Sequence, residues 1–359
     1  MGDGTTAAAL RLALGRELTD GAVDWAALLG VAARERLVAL AWLRSGALIR
    51  EAAPSDIVDA WRSHAIAVDQ KGRDRLGLLA ITAMALDQAG IPTVVLKGMP
   101  LARRLYGDPF IRASDDIDLY VAPDCRDRAR EALSASGWHH ETGAAPWDEL
   151  FSRGPRTRLY LEVHEMLLSD YLAHLPRVTP RTAPIDLGGV TVAALEDPIE
   201  PAYLAAHLAG HQRPPLLWLI DFATLWNGLD DDRRRAAEGA ARSAGLHRYL
   251  DWAIAMTFLL DGCADGDPSS LAELGIAGAD RQDDHMSVWR HARLAANPVD
   301  AARAIGACLW PRPLRGDWRA TGSTSVWRLR RRLRRPTLTR RLRATPAAPP
   351  PAIERPGSS

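Results

Sequence analysis

The stretch that most constrains the fold runs from Val94 to Val121, VVLKGMPLARRLYGDPFIRASDDIDLYV. It reads as strand, turn, helix, loop, strand. Val94, Val95 and Leu96 form the short apolar run of a buried strand. Lys97-Gly98 makes a turn, and Pro100 suits a first helical turn, where its missing N–H costs nothing. Leu101, Leu105 and Tyr106 recur at helical spacing until Gly107-Asp108-Pro109 stops the helix. Asp116 to Val121 alternates strictly, as a half-buried strand does. Alternation puts Ile117, Leu119 and Val121 on an apolar face and leaves Asp116 and Asp118 together on the other.

Two carboxylates on adjacent rungs repel unless a cation sits between them. Oxygen-seeking Mg²⁺ or Mn²⁺ fits that need; a solvated polar face is the plainer explanation of the tripeptide alone. A Gly turn opening a helix offers backbone N–H groups to phosphate. Lys97 sits beside that Gly, in a chain whose lysines are Lys71 and Lys97 alone, all other basic side chains except histidine being arginine. A third carboxylate comes from Arg158 to His164, where Leu159, Leu161 and Val163 face the core. Tyr160, Glu162 and His164 face the way Asp116 and Asp118 do.

The run LKG, then LY, then R-x-x-D-D-I-D-L-Y-V, then L-E-V-H resembles the nucleotidyltransferase superfamily. It is most similar to an uncharacterised bacterial branch with Lys-Gly in place of Gly-Ser. The resemblance spans about residues 91–168 and extends more weakly to Trp226. It implies an α+β fold, with a small mixed β-sheet core flanked by N-terminal and C-terminal helical segments. It implies that Asp116, Asp118 and Glu162 are catalytic and hold two Mg²⁺ or Mn²⁺ ions under a nucleoside triphosphate. Lys97 and Gly98 would contact its phosphates, Arg112 would add charge there or form a surface salt bridge, and His164 would support the site. The reaction implied moves a nucleoside monophosphate from the triphosphate to a hydroxyl acceptor: a small molecule, a peptide or protein, or an RNA end. A phosphotransferase on the same metal site and a non-catalytic nucleotide-binding regulator are the alternatives.

The chain divides into a helical cap at 1–90, the core at 91–195, a helical region at 196–310 and a tail at 311–359. In the cap, Ala7–Leu18, Asp24–Ser45 and Ser55–Ala89 read as helices. In the core, Asp124 caps a helix through Ser136, Gly137-Trp138 starts a short strand, and Pro146–Pro155 reads as a polar loop over the site. Ile185–Leu187 and Val190–Val192 form a hairpin around Gly188-Gly189. Pro198 marks the first turn of the next helix. His207 and His211 follow at a spacing of four, but position 208 is Leu rather than the Glu that would complete H-E-x-x-H, so a site-wall or structural role is expected. The apolar helix Leu216–Trp226 contains Asp221, which needs a partner once buried. Two helices fill residues 231–262, a loop follows to Asp284, and Val288–Leu309 reads as helical.

The tail is densely basic from Arg328 to Arg343, then Ala/Pro-rich, and is expected to be disordered. Its Arg, Trp and Leu suit an anionic membrane surface or a nucleic acid. The formal net charge of +1 gives no chain-wide nucleic-acid signal. Cys125, Cys263 and Cys308 form no C-x-x-C pair and no zinc spacing. Reduced thiols, no signal peptide and no membrane span together lead to an expectation of a cytoplasmic protein, peripheral to a membrane if the tail docks there.

Overall fold

The computed structural model describes residues 3–302, apart from 19–22, 113, 142–147, 154–158, 165–166, 168–171, 173–177, 197, 212–213, 268–269, 271–292 and 296. The strands are β1 (Thr93–Val95), β2 (Asp116–Val121), β3 (His139–His140), β4 (Asp148–Arg153), β5 (Leu159–His164), β6 (Thr182–Asp186) and β7 (Thr191–Leu195). They form one sheet in the order β3-β4-β5-β2-β1-β7-β6. β1 pairs antiparallel with β2 and parallel with β7, while β2 pairs parallel with β5. The sheet is therefore mixed and the fold is α+β.

Side-chain alternation sorts the sheet into two cores. Val95, Ile117, Leu119, Leu161 and Val163 face one, against Leu79 and Leu86 of α4 (Ser55–Gln88) and Leu133 of α6 (Arg126–Ala135). Val94 and Leu96 face the other. That second core gathers α1 (Asp3–Leu14), α2 (Trp25–Arg34) and α3 (Val38–Ala52) from the N-terminal segment. From the C-terminal segment it gathers α7 (Glu200–Gly210), α8 (Leu216–Asn227), α9 (Asp231–Ser243) and α10 (His247–Ala264). The carboxylate-bearing face of β2 and β5 is thus turned toward the helices of both ends of the chain. Between the first two strands runs α5 (Met99–Tyr106), joined to α7 by the ion pair between Arg104 and the buried Glu200.

Five sequence expectations change. Asp124 does not cap α6 but lies in a short 3-10 turn, Pro123–Cys125, and the N-cap position is Cys125, with no side-chain hydrogen bond. Asp24–Ser45 is two helices, because the chain breaks at Glu35–Leu37 with Arg36 in the left-handed region at φ 61°. The break lets Glu35 serve the start of α8: its carboxylate accepts from Leu216 N at 3.3 Å and its carbonyl from Leu217 N at 3.3 Å. Pro146–Pro155 is not a loop over the site but contains β4, paired with β5 along its whole length. The proline at the start of α7 is Pro201, not Pro198. His211 lies just past the end of α7 in extended conformation, so the two histidines do not share a helix.

The hairpin around Gly188-Gly189 is present as β6–β7, with Gly189 N donating to Asp186. Cys125 and Cys263 are free thiols. No helix among the described residues is long and apolar enough to cross a membrane. The tail, Cys308 and most of Val288–Leu309 lie outside the described residues.

Candidate functional site

The site is assembled by register. In the parallel β2–β5 pair Asp118 lies directly opposite Glu162, with Asp116 opposite Tyr160 and His164 opposite Tyr120. Leu96 N donates to the Asp118 carbonyl at 3.1 Å, which extends the β1–β2 ladder and makes the chain leave the sheet beside Asp118. The next residue is Lys97, and its Nζ stands 3.1 Å from Asp118 Oδ1. His164 Nε2 is 3.2 Å from the same oxygen and 3.8 Å from Glu162 Oε2. Asp116 stands one rung earlier, its Oδ1 accepting from Ser114 Oγ at 3.0 Å.

Gly98 follows Lys97 at φ 71° and ψ −123°, a backbone conformation open to glycine and strained for a residue with a Cβ. It turns the chain directly into α5, whose N-terminus carries no side-chain cap. A helix end of this kind carries partial positive charge that favours an anion.

The electrostatics follow from burial and crowding. The Asp118 side chain is 2% exposed. Burial works against its charge, but Lys97 and His164 outweigh it and hold the carboxyl well below the usual carboxylate range. Burial also works against the Lys97 ammonium, and Asp118, Asp116 and Glu162 more than compensate, so it stays charged above its ordinary value. Glu162 is pushed up to about 7, first by burial and then by Asp118 and Asp116. A cation placed between Asp118 and Glu162 would relieve that repulsion.

Asp118, Glu162 and His164 each offer a donor atom, all within 4.8 Å of one another. The set fits a divalent ion. Its two carboxylates suit Mg²⁺ or Mn²⁺, and the imidazole tilts the choice toward Mn²⁺. The resemblance implied Asp116 in place of His164. Among the described residues it is His164 that joins the tight cluster, while Asp116 adjoins it from the next rung of β2.

Arg112 is not at the surface. Its side chain is 5% exposed and its Nε donates to Asp221 Oδ2 at 2.7 Å. Tyr106 OH donates to Asp221 Oδ1 at 2.6 Å, which answers the need for a partner raised by the sequence. Arg112 lends its charge to Asp116 and Asp118 from behind this pair.

The wall opposite the sheet comes from residues far away in sequence. His207 of α7 places Nε2 3.3 Å from Lys97 Nζ. Burial, then the Lys97 charge, drives its pKa well below the usual value, so it is a neutral acceptor. The Trp218 ring packs 4.8 Å from both His207 and His211, with Arg36 above it at 5.7 Å. Arg36 and Lys71 both bond to Asp115, at 2.6 and 2.7 Å, tying the N-terminal helices to the entry of β2. Sequence reasoning missed Arg36 and Trp218. The signal available was a charged triplet, Arg34-Glu35-Arg36, between two apolar helical runs.

The profile of a family described as an uncharacterised nucleotidyltransferase matches residues 21–260, from before α2 into α10. No curated protein gives a significant match. Among solved structures, an antigenic nucleotidyltransferase-like protein from Paracoccidioides brasiliensis is similar at 14% identity and a TM-score of 0.34, covering 54% of this chain and 89% of that one. Nothing about ligands or chemistry transfers at that level of similarity.

Proposed function

Because the chain belongs to the family of uncharacterised nucleotidyltransferases, we propose that it moves a nucleoside monophosphate from a nucleoside triphosphate to a hydroxyl acceptor with a divalent metal ion. The observation that carries this reading is the cross-strand placement of Asp118 against Glu162, with His164 completing a donor cluster, beside a glycine that opens α5. Asp118, Glu162 and His164 would hold the metal, with Asp116 adjoining. Bound there, it would supply positive charge to the phosphates of the transition state.

The rest is the work of the chain itself. The Gly98 turn and the α5 N-terminus meet the phosphates with backbone N–H groups. Lys97 adds a fixed charge. The acceptor oxygen bonds to the α-phosphorus, the bond from that phosphorus to the oxygen bridging to the β-phosphate breaks, and pyrophosphate leaves with the electron pair. The acceptor proton passes to solvent beside Glu162, whose side chain is 35% exposed. Catalysis of this kind is mostly positioning and charge, which is what the cluster supplies.

One observation favours a second, non-catalytic reading: Asp118 already has two partners, Lys97 and His164, without a metal. Titration with ATP, GTP, CTP and UTP, with and without Mg²⁺ or Mn²⁺, separates the two. Metal-dependent binding that an Asp116→Ala/Asp118→Ala variant loses supports the transferase. No binding by folded wild type refutes it. With an acceptor in hand, release of pyrophosphate marks nucleotidyl transfer, and release of nucleoside diphosphate marks phosphoryl transfer.

A further inference from the structure

The donor atoms and the charges at the site do not match a pair of divalent ions. Among the described residues one cluster of three donors is present, and it accounts for one ion. The cation on the other flank of Asp118 is already built in. Lys97 Nζ is 3.1 Å from Asp118 Oδ1, both side chains are buried, and Lys97 cannot swing out to solvent without leaving the buried carboxylate to His164 alone. Asp116, Asp118 and Glu162 set against one ammonium leave a net charge equal and opposite to that of a single divalent ion.

The ammonium is also held in place from behind. His207 Nε2 accepts at 3.3 Å, so two of the three N–H donors of Lys97 are directed at Asp118 and His207. The third is left for a substrate oxygen. Trp218 and His211 pack around the His207 ring and keep it from turning away.

We infer that Lys97 does the work of a second divalent cation, so that the site takes one metal ion where two would be expected, with His207 as the residue that positions the ammonium. The inference rests on the metal-dependent reading given above and names its cation content. A lysine can fill this role because it carries a localised charge on a stem long enough to reach the carboxylate from the turn. It also has a consequence for the ligand. The triphosphate would meet one fixed organic cation and one exchangeable ion, so that part of its charge would be neutralised without metal.

The test counts ions on the full-length protein. Equilibrium dialysis against Mn²⁺ would be run with the α,β-methylene analogues of ATP, GTP, CTP and UTP in turn, with electron paramagnetic resonance on the same samples. Wild type is expected to hold one Mn²⁺ per chain with an uncoupled spectrum. Lys97→Met is expected to hold two, with the spin coupling of ions about 3.5–4 Å apart. Lys97→Arg, which keeps the charge, is expected to return to one. Two ions on wild type overturn the inference and leave the transferase reading standing. No ion on wild type overturns the metal-dependent reading itself. A single ion on folded Lys97→Met overturns the role given to Lys97. If Lys97→Met does not fold, the wild-type count decides. His207→Gln, which can still accept from Lys97, is expected to keep one ion, and His207→Leu to weaken analogue binding without changing the count; a change in that count overturns the positioning role.

Discussion

Replacing Asp221 by Asn should destabilise the protein by about 3–5 kcal/mol, because it strands the Arg112 charge in the interior. The Arg112 and Asp221 side chains are 5% and 3% exposed, and their 2.7 Å contact leaves no room for water between them. Asn keeps the shape of the carboxylate, and its oxygen still accepts from Arg112. Tyr106 OH, now 2.6 Å from Asp221 Oδ1, can rotate to accept from the new amide. What is lost is the charge alone, worth about 4 kcal/mol for unit charges about 4 Å apart at an effective dielectric of about 20. In a folded unit of this size each kcal/mol moves the Tm by about 2–4 °C, so a drop of about 6–20 °C is expected. Urea unfolding followed by tryptophan fluorescence would measure the free energy. Arg112→Met/Asp221→Leu should recover most of the loss, since an apolar pair leaves no charge behind. A loss below about 1 kcal/mol for Asp221→Asn would refute the reasoning. It would mean that Arg112 turns instead to Asp116 and Asp118, whose field already reaches it.

Other consequences can be measured separately. His164→Ala should lower Mn²⁺ affinity about 10–100-fold by calorimetry if the imidazole orients or joins the donor set; unchanged affinity would remove it from the site. Gly72→Val should cost about 1–3 kcal/mol in urea, because a Cβ there would sit 3.0 Å from Phe110 Cδ1 and 3.3 Å from its Cα. His207 stays neutral when folded but takes a proton near pH 6.5 when unfolded. The unfolded chain therefore binds more protons below that pH, and this contribution to stability falls as pH drops from about 7 to 5. Glu162 works in the opposite sense between about 4.5 and 7, since the folded state holds its proton. Comparing His207→Gln with wild type isolates the histidine: the difference in unfolding free energy should move in the variant's favour as pH falls, by at most about 1.4 kcal/mol per pH unit. Parallel pH profiles would contradict it.

The parts of the site legible in sequence are those governed by local periodicity. Strict alternation in Asp116–Val121 and Leu159–His164 put their polar residues on one face, and the strands then paired in a register that brings Asp118 to Glu162. The contacts that close the site were not legible, because they join distant segments. Lys97 meets His207 across 110 residues, and Arg36 meets Asp115 across 79. No local pattern encodes which helix docks against which turn. β4 was hidden for a different reason. Its sequence, Asp-Glu-Leu-Phe-Ser-Arg between Pro146 and Pro155, has weak strand propensity. Pairing on both edges, with β3 and β5, outweighs that, and Phe151 anchors it in the core. The helix break at Glu35–Leu37 carries neither Gly nor Pro. It is set by the demand of α8 for a cap 181 residues later.

That cap also sets an order of events during synthesis. Glu35 is made 181 residues before Leu216, the backbone group it serves. At about 5–20 residues per second, roughly 10–40 s pass on the ribosome before α8 exists. Through that interval α2 and α3 can already pack on α1 and α4, but the turn between them has not yet received the two α8 backbone N–H groups that Glu35 accepts in the finished fold. The N-terminal helices therefore wait for this tie through about half of the chain's translation. A pause in translation placed after α8 would let this tie close before the rest of the chain arrives, and one placed before it would prolong the wait.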